Sequence, residues 1–247
     1  MDKALEKTKF GFTNNQLKII AMVTMLLDHI GVWFFPEVEI FRILGRISFP
    51  IFAYMIAEGC RYTKNRAKYL GLIAAMALAF QVVYFVAMKS LYQGILVTFS
   101  LAIITIYAID ELVKSKKITD CLLPVLAIAA VAAFVFVLPV FLKETDFDID
   151  YGLWGILLPV AVYFLPNRLS RVLGMGVLLL IRAIHYTVFP QGTLGILQWF
   201  SLVSVLLLAL YNGERGRAKM KYVFYIFYPA HLVILYAIEM LLILLKQ

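Results

Sequence analysis

QLKIIAMVTMLLDHIGVWFF, residues 16 to 35, decides the fold. The stretch is long enough to cross a hydrocarbon core of about 30 Å as an α-helix, yet it carries Lys18, Asp28 and His29. An ionisable side chain near the bilayer centre costs roughly 2.5–3.5 kcal/mol on insertion scales, so a span that keeps such groups points to chemistry. Eleven residues separate Lys18 from His29. At about 100° per residue that is about three turns, so both face the same way, and at about 1.5 Å per residue they lie about 16 Å apart along the axis. This geometry suits a substrate held end-on, with a cation at the membrane surface for its head and an imidazole base at depth for its reactive end.

The rest of the chain agrees with a membrane setting. Of 247 residues, 63% are hydrophobic and the mean hydropathy is +0.90, against about 45–50% apolar residues in a soluble domain. The expected fold is an all-α polytopic bundle forming a single domain over residues 1–247. The first span runs from its charged residues into aromatics, unlike a signal-peptide h-region, and reads as a retained helix. Hydropathy predicts nine spans, near 16–35, 41–59, 69–88, 94–110, 120–142, 151–165, 169–188, 194–211 and 222–245. Lys3, Lys7, Lys9, Arg61, Lys64, Arg66, Lys68, Lys114, Lys116, Lys117, Arg168, Arg171, Arg215, Arg217, Lys219 and Lys221 then fall on one side, and Arg42, Lys89, Lys143 and Lys246 on the other. The positive-inside rule makes the N-terminus cytoplasmic and the C-terminus external. The net charge of +8 follows from these loops and their attraction to anionic lipid, and gives no reason to invoke nucleic acid. Cys60 and Cys121 lack CxxC or metal-ligand spacing and read as unpaired apolar filler. Three histidines on three different spans lack metal-ligand spacing as well. No internal repeat is visible, which disfavours transporters built from inverted halves.

Further polar residues cluster by depth. The second span, FRILGRISFPIFAYMIAEG, places Arg46 near the depth of His29, either as an anchor for a carboxylate or carbonyl or as an ion-pair partner of Asp28. Pro50 frees the carbonyl of Arg46, and Gly45, Ser48 and Gly59 permit close helix approach. Glu58 and the basic loop of Arg61, Lys64, Arg66 and Lys68 lie at the depth of Lys18, as a topology signal or as a phosphate-binding mouth; Glu58 could pair with Lys18 when that mouth is empty. On the outer side DFDIDYGLWG brings Asp150 and Tyr151 to the membrane boundary. Arg182 and His185 are three residues apart and so on one face of the seventh span, where they either snorkel outward or form a polar wall. In the ninth span Tyr225, Tyr228 and His231 recur every three residues around Pro229, the pattern of a kinked helix lining a cavity. The third, fourth and fifth spans are nearly featureless and read as a wrapping around the core.

The blocks LKIIAMVTMLLDHIG, GRISFPIFAYMIAEG, TKNRAKYL, DYGLWG, LYNGERG and FYIFYPAHLVILY, in this order over residues 16 to 237, resemble the TraX family of membrane proteins. That family includes the protein that acetylates the N-terminus of conjugative pilin, and some members are called fimbrial assembly proteins. It also resembles, distantly, the transmembrane acyltransferases that acetylate sugars and carry an Arg-x10-His pattern in the first span. Lys18-x10-His29 has that spacing with lysine in place of arginine, which loses the planar bidentate fork. The resemblance implies a bacterial cytoplasmic-membrane acyltransferase that uses acetyl-CoA, or another acyl-CoA, as co-substrate and takes pilin or a surface polysaccharide as acceptor. It implies His29 as the catalytic base. On the residues' own chemistry, Asp28 would set its tautomer or stabilise its cation, and Arg46 or His231 would polarise the thioester carbonyl or steady the oxyanion. Lys18, Glu58, Arg61, Lys64, Arg66 and Lys68 would form the cofactor end, and Asp150, Tyr151, Arg182 and His185 the acceptor side. No metal is expected. Two other classes fit the buried charges: a proton-coupled transporter using Asp28, His29, Glu58, Arg182 and His231 as a relay, and a non-catalytic assembly factor for surface fibres.

Overall fold

A computed structural model of the chain describes residues 10–189, 194–218 and 220–245, without the side chains of Leu194, Lys221, Tyr222 and Tyr225. Lys3, Lys7, Lys9, Lys219 and Lys246, and the side chains of Lys221 and Tyr225, therefore lie outside the described residues. The described residues are helical, with two isolated β-bridges and no strand. Among the described residues seven helical segments, Glu39–Tyr62 and Ile118–Phe141 among them, are long and apolar enough to cross a membrane, and two shorter apolar ones, Gly152–Phe164 and Gly195–Ala209, occupy the sixth and eighth segments. The protein is a multi-pass membrane protein.

The chain divides into two compact units, one of residues 1–55 and 165–247 and one of residues 56–164. In the first unit, helix α1 (Asn14–Phe34) starts at a Thr13–Gln16 capping box, in which each residue satisfies the other's backbone N–H. The segment around Leu210–Ala218 wraps this start. Phe12 N–H donates to the Leu210 carbonyl at 2.8 Å, Asn14 N–H to Glu214 at 2.7 Å and Asn15 N–H to Arg215 at 3.2 Å. The Asn15 amide donates to the Ala218 carbonyl at 2.7 Å. The first N–H groups of α1, orphans in an isolated helix, are thus satisfied.

The predicted second span is two helices, α2 (Glu39–Gly45) and α3 (Ser48–Tyr62), rather than one. The break falls at Arg46 and Ile47, whose N–H groups reach back only three residues, to Ile43 and Leu44. Pro50 then sits in the first turn of α3, where its missing N–H costs nothing. α2 packs tightly on α1: a Cβ on Gly45 would collide with Asp28, and one on Gly31 would lie 2.5 Å from Phe41 Cβ. α3 continues from the first unit into the second.

Helix α12 (Lys221–Leu244), with Pro229 inside it, packs on α1. The order of contact fixes its direction. Lys18 meets Phe224, His29 meets His231, and Trp33 meets Tyr236. Residue numbers rise together, so α1 and α12 run parallel. A first and a last span are parallel only when the number of crossings is odd, which agrees with the topology drawn from charge. Helix α9 (Arg168–Val188) completes this unit with α10 (Leu194–Leu197), a 3-10 turn over Gln198–Leu202 and α11 (Val203–Ala209). Gln198 and Ser201, three residues apart on the 3-10 turn and so on one face, are both buried.

The second unit packs α4 (Arg66–Met88), α6 (Ile118–Ala132) and α8 (Gly152–Phe164) around α5 (Ile95–Lys114). α6 passes through a π-helical turn at Ala133–Val137 into α7 (Leu138–Phe141). The fourth span, nearly featureless in sequence, is more than a wrapping. α5 is the hub of this unit: Ala102 packs with Val131 and Ile156 in a common core, and its C-terminal end holds Asp110 and Glu111 against Arg66. α6 is the truly peripheral helix, with most of its side chains exposed.

Candidate functional site

Asp28 and His29 are consecutive on α1, about 100° apart, and the structure gives them different partners. Asp28 turns to α2. Its carboxylate takes Arg46 Nη2 at 2.9 and 3.1 Å and Arg42 Nη1 at 3.0 Å. Arg46 Nε also donates to the Arg42 carbonyl at 3.2 Å. Arg42 and Arg46 are four residues apart on one helix face, which is why one carboxylate can hold both. The cluster of two guanidiniums and one carboxylate carries a net charge of +1 within the membrane-spanning region. Of the two roles considered for Arg46, ion pairing with Asp28 is the one the geometry contains. Arg42, counted from sequence as an outer topology charge, belongs to the same cluster; its i, i+4 relation to Arg46 was the signal that could have found it.

His29 turns to α12. Its Nδ1 lies 3.0 Å from His231 Nε2, with ring centroids 5.0 Å apart. The ring contact expected from Asp28 is made by His231 instead. His231 is buried, at 4% exposure. Its Nδ1 lies 2.7 Å from the Phe227 carbonyl oxygen, its ring stacks on Phe227 at 4.8 Å and 13°, and Tyr228 meets it edge-on at 5.9 Å. The ring is therefore held on two sides.

Three turns below His29, half-buried Lys18 places its ammonium 5.1 Å from the Phe224 ring centroid, a cation–π contact worth roughly 0.5–2 kcal/mol. Arg215, brought in by the wrap around the start of α1, is close enough for its charge to act on Lys18. Sequence spacing alone did not single out Arg215, because 197 residues of chain separate it from Lys18.

The other expected residues are distributed as follows. In the first unit Arg182 is buried, with its guanidinium over Phe49 at 5.7 Å and Tyr186 at 5.1 Å. His185 is exposed and packs on Tyr186 and Phe189. The two do not share an environment, because three residues leave them about 60° apart on a helix and the edge of the buried face falls between them. In the second unit Glu58 is buried at 3% exposure. Arg66 is bound to Asp110 and Glu111, and Arg61 donates to the Tyr163 carbonyl and lies over its ring. Only Lys64 and Lys68 of the predicted basic mouth are exposed. Asp150 and Tyr151 belong to a structural clasp. Gln93 N–H donates to Asp148 at 2.8 Å and Asp150 N–H to Gln93 at 2.9 Å, while the Asp150 carboxylate accepts from Tyr92 Oη at 3.0 Å and its carbonyl from Thr98 Oγ1 at 2.8 Å. Tyr151 has a φ of 59° and Gly152 one of 48°, so the DYG tripeptide is a tight left-handed turn. Burial and the Asp150 charge push the Tyr92 phenol well above its ordinary pKa. The hydroxyl of Ser90 and the N–H of Leu91 hold Asp146 below the ordinary carboxylate value. Cys60 and Cys121 are free thiols, and no cluster of three metal-ligating side chains occurs among the described residues.

The family model described as TraX protein matches residues 13–239. A protein of Dichelobacter nodosus named "Probable fimbrial assembly protein FimC, serogroup H1" is 25% identical over 254 residues, covering 94% of this chain and 97% of that protein. An uncharacterized protein of Rickettsia prowazekii is 48% identical over 44 residues, covering 17% of this chain and 18% of its own. No solved structure matches. With a family match running from the cap of α1 into the last turns of α12, the chain belongs to the TraX family.

Proposed function

We propose that the protein is an acyltransferase of the bacterial cytoplasmic membrane, moving an acetyl or longer acyl group from cytoplasmic acyl-CoA to an amine or hydroxyl. The acceptor class is a pilin N-terminus or a cell-surface glycan. Membership in the TraX family and the fimbrial-assembly name of the Dichelobacter relative support a pilus-related role.

The observation that carries the reading is the pairing of Lys18 and His29 along one seam. Both lie on the face of α1 that packs on α12, about 16 Å apart, and Lys18 is joined by a second cation, Arg215. Lys18 and Arg215 would neutralise the phosphates of the CoA head, and its pantetheine arm would run along the seam to the imidazole. His29 takes the proton of the acceptor amine or hydroxyl as that atom bonds to the thioester carbon. The negative charge developing on the carbonyl oxygen is favoured by the net positive charge of the Arg42–Asp28–Arg46 cluster beside the base. The C–S bond then breaks, and the thiolate of CoA leaves with the proton held by His29. Each step conserves charge and needs no metal.

Purified protein in nanodiscs with radiolabelled acetyl-CoA tests the reading. Wild-type protein is expected to transfer label to an amine acceptor or to hydrolyse the thioester slowly. Lys18→Gln should raise KM for acetyl-CoA with little change in kcat, and Lys18→Arg should keep a low KM. Wild-type protein that neither transfers nor hydrolyses, while driving pH-dependent flux in liposomes, would replace this reading with transport.

A further inference from the structure

We infer that His231 is a positioning residue: through its bond to His29 it fixes the tautomer of the base and directs the His29 Nε2 lone pair to the substrate. The inference rests on the proposed role of His29 as base, but its first test does not depend on activity.

The argument starts at a carbonyl. The Phe227 oxygen can only accept, and His231 Nδ1 lies 2.7 Å from it, so this nitrogen carries the hydrogen. A neutral imidazole has one N–H, so His231 Nε2 is an acceptor. His29 Nδ1 lies 3.0 Å from that Nε2, so the hydrogen between them comes from His29, whose ring also hydrogen-bonds the Met25 backbone one turn back on α1. The only remaining ring nitrogen of His29, Nε2, is therefore unprotonated and basic. The chain from carbonyl to imidazole to imidazole thus sets which end of His29 reacts, the role a carboxylate plays in many hydrolytic triads. Here the neighbouring carboxylate, Asp28, is committed to Arg42 and Arg46. The same accounting removes an alternative. A neutral His231 has its N–H on Phe227 and its lone pair on His29, so it has no hydrogen left to donate to an oxyanion. Stacking on Phe227 and 4% exposure hold its ring in this orientation.

The chain has three histidines, which makes a spectroscopic test direct. Protein labelled with nitrogen-15 at histidine, with His185→Gln to leave two rings, is measured by NMR at a pH where both are neutral. The expected spectrum assigns a protonated Nδ1 and an unprotonated Nε2 to His29, and the same to His231. His231→Phe preserves the stack on Phe227 but removes this acceptor, and the Nδ1–H share of His29 should then fall. His231→Gln places an oxygen close to the position of the lost Nε2 and should restore the Nδ1–H form. In the acyl-CoA assay His231→Phe should lower kcat on the order of tenfold, the ratio that one hydrogen bond of about 1.4 kcal/mol sets, with KM unchanged and partial recovery in His231→Gln. A His29 protonated on Nε2 in the wild-type protein, or one whose tautomer ignores His231→Phe, overturns the inference. The expected tautomers in a protein that shows no acyl transfer would leave the positioning role standing and remove the proposed reaction.

Discussion

Replacing Asp28 by Asn tests whether one carboxylate is what lets two guanidiniums stay within the membrane-spanning region. The carboxylate binds Arg46 at 2.9 Å and Arg42 at 3.0 Å, and the three side chains are 8–18% exposed. Asp28→Asn raises the cluster from a net charge of +1 to +2 in a water-poor setting. Breaking a buried pair by deleting one partner costs roughly 3–5 kcal/mol; the partial exposure here favours the lower end, about 3 kcal/mol. For a chain of this size that is a fall in Tm of about 6–12 °C, read by loss of the monodisperse peak in detergent after heating. Arg46→Gln alone should cost less, because Asp28 keeps Arg42. The double variant Asp28→Asn with Arg46→Gln returns the net charge to +1 and should recover about 1–3 kcal/mol relative to additivity. Equal losses for the two single variants, or additive losses in the double variant, would refute the idea that this carboxylate exists to hold two guanidiniums.

Gly45→Ala should lower Tm far more than Gly71→Ala, because a Cβ at Gly45 collides with Asp28 while one at Gly71 meets nothing within 4 Å; parallel thermal scans check this. Substituted cysteines at Thr13 and Leu245 should react with a membrane-impermeant thiol reagent from opposite sides of right-side-out and inverted vesicles, because α1 and α12 run parallel. Labelling of both from one side would break the topology. The Asp146 carboxylate holds Leu91 N–H at 2.8 Å, and its pKa lies below the ordinary 3.8. A carboxyl group depressed on folding stabilises the fold above its unfolded pKa and loses that contribution as pH falls through the folded value. Hydrogen exchange at Leu91, compared with a reference amide, should therefore accelerate at pH below about 3.8 in the wild type, and be already fast and insensitive to this titration in Asp146→Ala.

The parts of the fold legible in the sequence are those set by hydropathy and charge. Each of the nine expected apolar segments coincides with helix, because a lipid environment demands internally satisfied backbone over a fixed thickness. The seam of Lys18 and His29 was legible because helical periodicity alone puts them on one face. Partner choice was not legible, since it depends on which distant segment each face meets. Asp28 differs from its neighbour by one helical step and so meets α2 instead of α12. His29 meets a ring 202 residues away in sequence. The break at Arg46 and Ile47 was half legible: Pro50 signalled an irregular turn, but not that it would set Arg46 at the end of α2 beside Arg42. Asp150 and Tyr151, read from sequence as acceptor-side residues, are occupied by local hydrogen bonds and a left-handed turn, a use that polar residues near a membrane boundary share with binding.

The central claim is that the imidazole of His29 removes a proton during acyl transfer, and one comparison tests it most directly. Wild-type protein and His29→Ala, purified alike and matched for Tm, are incubated with radiolabelled acetyl-CoA and an amine acceptor. The account predicts label transfer or thioester hydrolysis in the wild type and background rates in His29→Ala. Equal activity in the two proteins would contradict it.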